Sequence, residues 1–131
     1  LTKAFGTYTG PQAMKMAGVS HADFDLAMLY DSFTYTVLIT LENLGFCEPG
    51  DGPDFIKSKI LGPGGNFPLN TNGGGLSYTH PGMYGIFTVV EAARQMRNQA
   101  KDRQLNKCNL ALVHGTGGLL SSTGTVILGK D

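Results

Sequence analysis

Asn70-Thr71-Asn72-Gly73-Gly74-Gly75-Leu76-Ser77-Tyr78-Thr79-His80-Pro81-Gly82 runs directly into the strongest helical segment of the chain, Met83 to Gln99. Ile86, Val90, Ala93, Met96 and Arg97 recur on one helical face there, and Glu91 and Arg94 are spaced for an i,i+3 pair. Ahead of the stretch stands a short extended segment, Phe67-Pro68-Leu69. Extended segment, glycine turn and helix form the repeating unit of α/β domains, in which the turn at the strand end builds the site.

Downstream, Asn109 to Val113 predicts a strand, His114-Gly115-Thr116-Gly117-Gly118 a glycine turn, and Thr123 to Leu128 a second strand, together a hairpin. Upstream, Leu26-Ala27-Met28-Leu29 is an apolar run of strand length, and Tyr30-Asp31-Ser32 interrupts it. Phe33, Val37, Leu41 and Leu44 share one face of a helix over Phe33–Leu44, closed by Gly45. An earlier short helix takes Thr9 as N-cap, tolerates Pro11 in its first turn, places Ala13, Met14, Met16 and Ala17 on its apolar face and stops at Gly18. Cys47 to Asn66 reads as a loop in which Pro-Gly clusters bracket a short piece, Phe55–Leu61. The order is helix, strand, helix, loop, strand, helix, strand, strand. It predicts one α/β layered domain over residues 1–131, with a mixed, mostly parallel sheet and helices on both sides.

Ten acidic and ten basic residues balance to zero formal charge, which argues against nucleic acid or an anionic membrane surface as the main partner. No apolar run reaches the length of a membrane span. Cys47 and Cys108, two thiols without a His or basic neighbour in sequence, are too few for a zinc site or a disulfide framework. They read as inert, reduced cysteines of a cytoplasmic protein. Gly, at 19 of 131 residues, is about twice its usual 7% share and is clustered at 62–65, 73–75 and 115–118. Tight turns alone can account for any one cluster; backbone approach to a ligand can too. Neither the P-loop pattern nor G-x-G-x-x-G at a βα turn is present, so a phosphate-cradling reading fails.

His80 and His114, each beside glycines, are the residue types that move protons near neutral pH, and a layered domain would put both at one sheet edge. A metal would need a third ligand, for which only Asp31 or His21 offers itself, and we expect none.

Three ordered motifs then carry a resemblance. Asn70–Gly75 followed by Tyr78-Thr79-His80-Pro81-Gly82 resembles the thiolase signature N-x-x-G-G … G-H-P-x-G. His114–Gly118 is similar to the closing C-x-G-G-G motif with His for Cys, and Leu29-Tyr30-Asp31-Ser32-Phe33 to N-E-A-F with Tyr30 at the Asn position. The variant motifs resemble the non-specific lipid-transfer or sterol-carrier-protein-X branch, some members of which act as aldolases on CoA thioesters of steroid side chains. The resemblance implies a thiolase-like C-terminal domain acting on acyl-CoA thioesters by acyl transfer or thiolytic cleavage. Retro-aldol cleavage, or a non-catalytic lipid-binding or subunit role, is the alternative. It implies catalytic roles for His80 (enolate oxygen), His114 (acid/base in place of Cys) and Tyr30 (hydrogen-bond donor or acid/base). Backbone N–H groups near Thr116 and Gly117 would form an oxyanion hole, and Asn72, Gly74 and Tyr78 would contact substrate. Coenzyme A enters as part of the substrate, with no other cofactor. The thiolase nucleophile and the first strand of this domain would precede Leu1. We therefore expect an N-terminal half or companion chain, an oligomer and, from relatives, a small OB-fold/zinc-ribbon partner.

Overall fold

The computed structural model describes residues 3–118 and 120–130. Among them, α1 (Gly6–Ala17), β1 (Leu26–Leu29), α2 (Thr34–Asn43), α3 (Gly52–Lys57), α4 (Gly85–Met96), β2 (Leu110–Gly117) and β3 (Ser122–Gly129) follow in that order, with single 3₁₀ turns at His21–Asp23 and Lys101–Arg103. The sheet has the order β1-β2-β3, parallel between β1 and β2 and antiparallel in the hairpin. The Phe67–Leu69 segment contributes one further parallel bridge, Leu69 to Ala27, on the free side of β1. Asn70, at φ 47°, completes that edge with its side chain: Oδ1 accepts the Leu29 N–H at 2.8 Å and Nδ2 donates to the Leu29 carbonyl at 2.9 Å.

Strand alternation sorts the core into two layers. Leu26, Met28, Ala111 and Val113 pack on Ala92 and Met96 of α4. Ala27, Leu29 and Leu112 pack on Leu41, Leu44 and Leu69, with Phe46, Phe55 and Phe67 of the excursion alongside. α1 lies on this second layer: its buried residues Gly6, Gly10 and Met14 repeat every fourth position, and a Cβ at Gly10 would sit 2.7 Å from Leu44 Cδ2.

Three expectations need correction. α1 starts at Gly6, so Thr9 is not its cap; its hydroxyl instead meets Thr123 at 3.2 Å and Thr125 at 2.9 Å. Met16 is exposed, outside the buried face. His114 to Gly117 form no turn: they belong to β2, paired to Thr125, Gly124, Thr123 and Ser122, and the chain reverses only after Gly117.

α4 also buries a different face from the expected one, of which only Met96 is buried. Its buried side carries Thr88, Glu91, Ala92, Gln95 and Met96, while Ile86, Phe87 and Val90, with Met83 before them, are exposed. Glu91 pairs with Arg103, not Arg94: Nε and Nη2 each reach a carboxylate oxygen at 2.9 Å. Burial alone would raise the Glu91 carboxyl. The Arg103 guanidinium and the hydrogen bonds from Gln95 and Thr71 outweigh burial and hold it below the ordinary glutamate value. A polar helix face is thus buried because each group on it has a partner.

Candidate active site

The parallel strand β1 and the bridge segment both end beside the N-terminus of α4, so the loops leaving them meet there. Tyr30 follows β1, and its ring packs edge-on against Tyr84, the fully buried residue that caps α4, with centroids 5.2 Å apart. The loop after the bridge segment brings His80 to the same place. The Tyr30 hydroxyl lies 2.7 Å from His80 Nε2, with the two rings near perpendicular at 83°. The pair is open to solvent on one side, as groups meeting a substrate must be.

A cavity of about 360 Å³ opens on the pair, lined by Tyr30, Ser32, Phe33, Tyr35, His80, Thr116, Gly117 and Leu120 among others. Its mouth is apolar, since Phe33 and Tyr35 stand well exposed at its edge. Of the residues named from sequence, Tyr30, His80, Thr116 and Gly117 therefore meet at one cavity. Thr116 presents its backbone to this space. The carbonyls of Leu110 and His114 both point toward β1, accepting from Asp25 and Tyr30, so the backbone of Thr116 points the same way. β1 pairing stops at Leu29–His114, two residues short of Thr116, so its N–H faces the space beyond the strand end. Gly117 points its backbone toward β3.

His114 is elsewhere. It is 1% exposed and shares the sheet face of Leu112; its Nδ1 lies 2.8 Å from Thr125 Oγ1 and its ring lies against Gly6 of α1. Burial pushes its pKa down to about 4, which leaves the imidazole neutral at neutral pH. Asn72 and Tyr78 line a neighbouring cavity of about 300 Å³ with Phe87, Val90, Glu91, Arg94 and Arg103. There, Asn72 Nδ2 donates to the Tyr78 hydroxyl at 2.7 Å, and Tyr78 approaches the Tyr84 hydroxyl at 3.4 Å. Burial raises the Tyr84 phenol well above its ordinary value, with Tyr78 and the Asp31 charge adding to the effect. Gly74 is buried in the turn at φ +69°.

The thiols stand apart from this site. Cys108 is buried, which pushes its pKa up to about 11; burial and then nearby carboxylates raise Cys47, so neither is an activated nucleophile. Among the described residues no group of three His, Cys, Asp or Glu converges as a metal site, and no helix is long and apolar enough to cross a membrane.

Sequence reasoning missed the lining residues Ser32, Phe33 and Tyr35 as cavity residues, and it quoted Asp31 within a motif but offered it a chemical role only as a possible third metal ligand. Asp31 is 3% exposed and accepts the N–H groups of Gly75 at 2.9 Å and Leu76 at 3.2 Å. Its signal was a carboxylate placed between a buried strand and a helix, which punctuation alone does not require.

A family model described as thiolase C-terminal domain-like matches residues 1–130. The chain is 40% identical over 122 residues to a steroid side-chain-cleaving aldolase of Thermomonospora curvata, covering 93% of this chain and 30% of that protein. It is 39% identical over 108 residues to a 17-hydroxy-3-oxo-4-pregnene-20-carboxyl-CoA lyase of Mycobacterium tuberculosis, covering 82% of this chain and 28% of that one. Among solved structures, a chain titled Ltp2-ChsH2(DUF35) aldolase superposes with a TM-score of 0.82 at 35% identity, covering 95% of this chain and 31% of its own. The chain thus spans under a third of the length of these relatives. Motifs, layered fold and family model agree: this chain belongs to the thiolase C-terminal domain-like family.

Proposed function

We propose that this chain is the C-terminal part of a carbon–carbon lyase that cleaves β-hydroxyacyl-CoA thioesters, including those of steroid side chains, by retro-aldol chemistry. The observation that carries the reading is the 2.7 Å contact between Tyr30 and His80 at the mouth of an apolar cavity. The names of the similar lyase and aldolase support it. Acyl transfer and thiolysis, the reaction first expected of a thiolase-like domain, have less support: His114, which would stand in for the acid/base Cys, is fully buried and outside the cavity lining, its ring held by Thr125.

In the proposed step Tyr30 takes the proton of the substrate hydroxyl as its own passes to His80 Nε2. The bond between the α- and β-carbons breaks, and the β-carbon becomes a carbonyl. The electron pair passes to the α-carbon and, as an enolate, to the thioester oxygen. The Thr116 N–H is the donor for that oxygen, an interaction worth about 3–4 kcal/mol in comparable oxyanion holes. The relayed proton returns to the α-carbon, so the reaction needs no external acid, oxidant or metal, and coenzyme A serves only as the substrate's handle. Asn72, Gly74 and Tyr78 support the turn that carries His80.

The companion of this domain, an N-terminal half or a separate chain, would seat on the exposed stripe of Met83, Ile86, Phe87 and Val90, which borders the Asn72–Tyr78 cavity. A further small OB-fold/zinc-ribbon partner belongs to the same proposal. The test uses the full-length protein with its partners and a β-hydroxyacyl-CoA. Formation of a carbonyl fragment and a shortened CoA thioester without consumption of free CoA supports the lyase. Cleavage that requires free CoA and a β-keto substrate supports thiolysis instead.

A further inference from the structure

We infer that Asp31 is a positioning residue: its carboxylate holds the glycine turn at Gly73–Leu76 against the end of β1 and so fixes His80 beside Tyr30. The inference rests on the lyase reading for its kinetic effect, and on geometry alone for its structural part. Asp31 immediately follows Tyr30, is 3% exposed, and has no Lys, Arg or His partner among the ion pairs of the described residues. A carboxylate buried without a cation is costly unless hydrogen bonds replace its water. Here both oxygens are used, Oδ1 by the Gly75 N–H and Oδ2 by the Leu76 N–H.

The glycines make that wrapping sterically feasible. Gly74, at φ +69°, passes so close that a Cβ there would lie 2.7 Å from the Asp31 carboxyl carbon and collide with Oδ2. A Cβ at Gly75 would meet both Asp31 Oδ1 and the Tyr84 ring at 3.3 Å. Successive backbone N–H groups of a turn converging on an anion form a nest that usually serves a ligand. In this chain the anion is the protein's own. Two more ties brace the same turn: Asn70 to the Leu29 backbone, and Asn72 Oδ1 to the Gly74 N–H at 3.0 Å. Only three residues separate Leu76 from His80, so tilting the turn moves the imidazole relative to Tyr30. A displacement of about 1 Å at a reacting group costs on the order of a hundredfold in rate.

The test is Asp31→Asn in the full-length protein with its partners. The amide keeps the shape but sets an NH₂ donor against one of the two N–H groups. We expect kcat to fall about a hundredfold with KM nearly unchanged, and the NMR signals of the His80 ring to shift well below the melting temperature. Unchanged kcat and unchanged His80 signals in a folded variant would overturn the inference, as would a rise in KM alone. Should the variant not fold, hydrogen exchange in the unmodified protein decides: the Gly75 and Leu76 amides should be protected, and free exchange there would refute the carboxylate's hold. If the unmodified protein turns over no CoA thioester, the lyase reading fails, while the His80 signals and amide exchange still judge Asp31.

Discussion

Replacing Tyr30 by Phe separates chemistry from architecture, because the geometry assigns very different magnitudes to the two. The lost hydroxyl has one protein partner, His80 Nε2 at 2.7 Å, and His80 is exposed, so water can take its place. Such an exchange costs at most about 1 kcal/mol of stability. The Phe ring keeps the edge-on packing against Tyr84 at 5.2 Å. Removing a general acid–base group, by contrast, costs about 10²–10⁴ in rate. That is about 3–5 kcal/mol of barrier at 1.36 kcal/mol per tenfold. In the full-length protein Tyr30→Phe should therefore melt within a few degrees of the parent while kcat for β-hydroxyacyl-CoA cleavage drops at least a hundredfold. Steady-state kinetics, with a thermal melt on the same sample, make the comparison. A kcat within threefold of the parent would refute the relay, and a drop that merely tracks lost folded protein would assign Tyr30 to packing.

The remaining expectations concern the buried histidine and the exposed helix face. His114 has its pKa lowered to about 4 from 6.5 by burial, so its neutral form is the folded one. The unfolded chain takes up the proton first; the stability contribution is complete above pH 6.5 and is lost as pH falls toward 4, by about 3 kcal/mol. Melts across that window should show the loss in the parent and a smaller one in His114→Gln; parallel curves would contradict the buried neutral ring. Introducing Asp at both Ile86 and Val90, 57% and 37% exposed, should weaken assembly with the companion as read by analytical ultracentrifugation. Unchanged assembly would move the interface elsewhere.

The sheet was legible where the local pattern was the whole cause. Leu26–Leu29 is a strand because four consecutive apolar residues are buried between two layers, and its bounds match the expectation. The HGTGG segment misled because glycine reads as a turn, whereas its ladder to β3 is a long-range pairing that local composition does not encode. α4 misled for a related reason: its apolar residues divide between two faces. The inward face is polar because Thr71, Arg103 and the Leu105 N–H satisfy Glu91 and Gln95 from outside the helix. Periodicity ranks residues by hydrophobicity and cannot see such partners. At the site, Tyr30 and His80 were legible through motif resemblance, but 50 positions separate them, and their contact exists only because two strand ends meet at α4. His114 had the right residue type, but its ring is buried between Thr125 and Gly6, outside the cavity lining.

Retro-aldol cleavage is decided by incubating the full-length protein and its partners with a β-hydroxyacyl-CoA in the absence of free CoA and following both products by mass spectrometry. A retro-aldol lyase yields one carbonyl compound and one shortened CoA thioester in equal amounts, with the α-carbon taking up a proton. No cleavage until free CoA is added, or cleavage only of a β-ketoacyl-CoA, would contradict it.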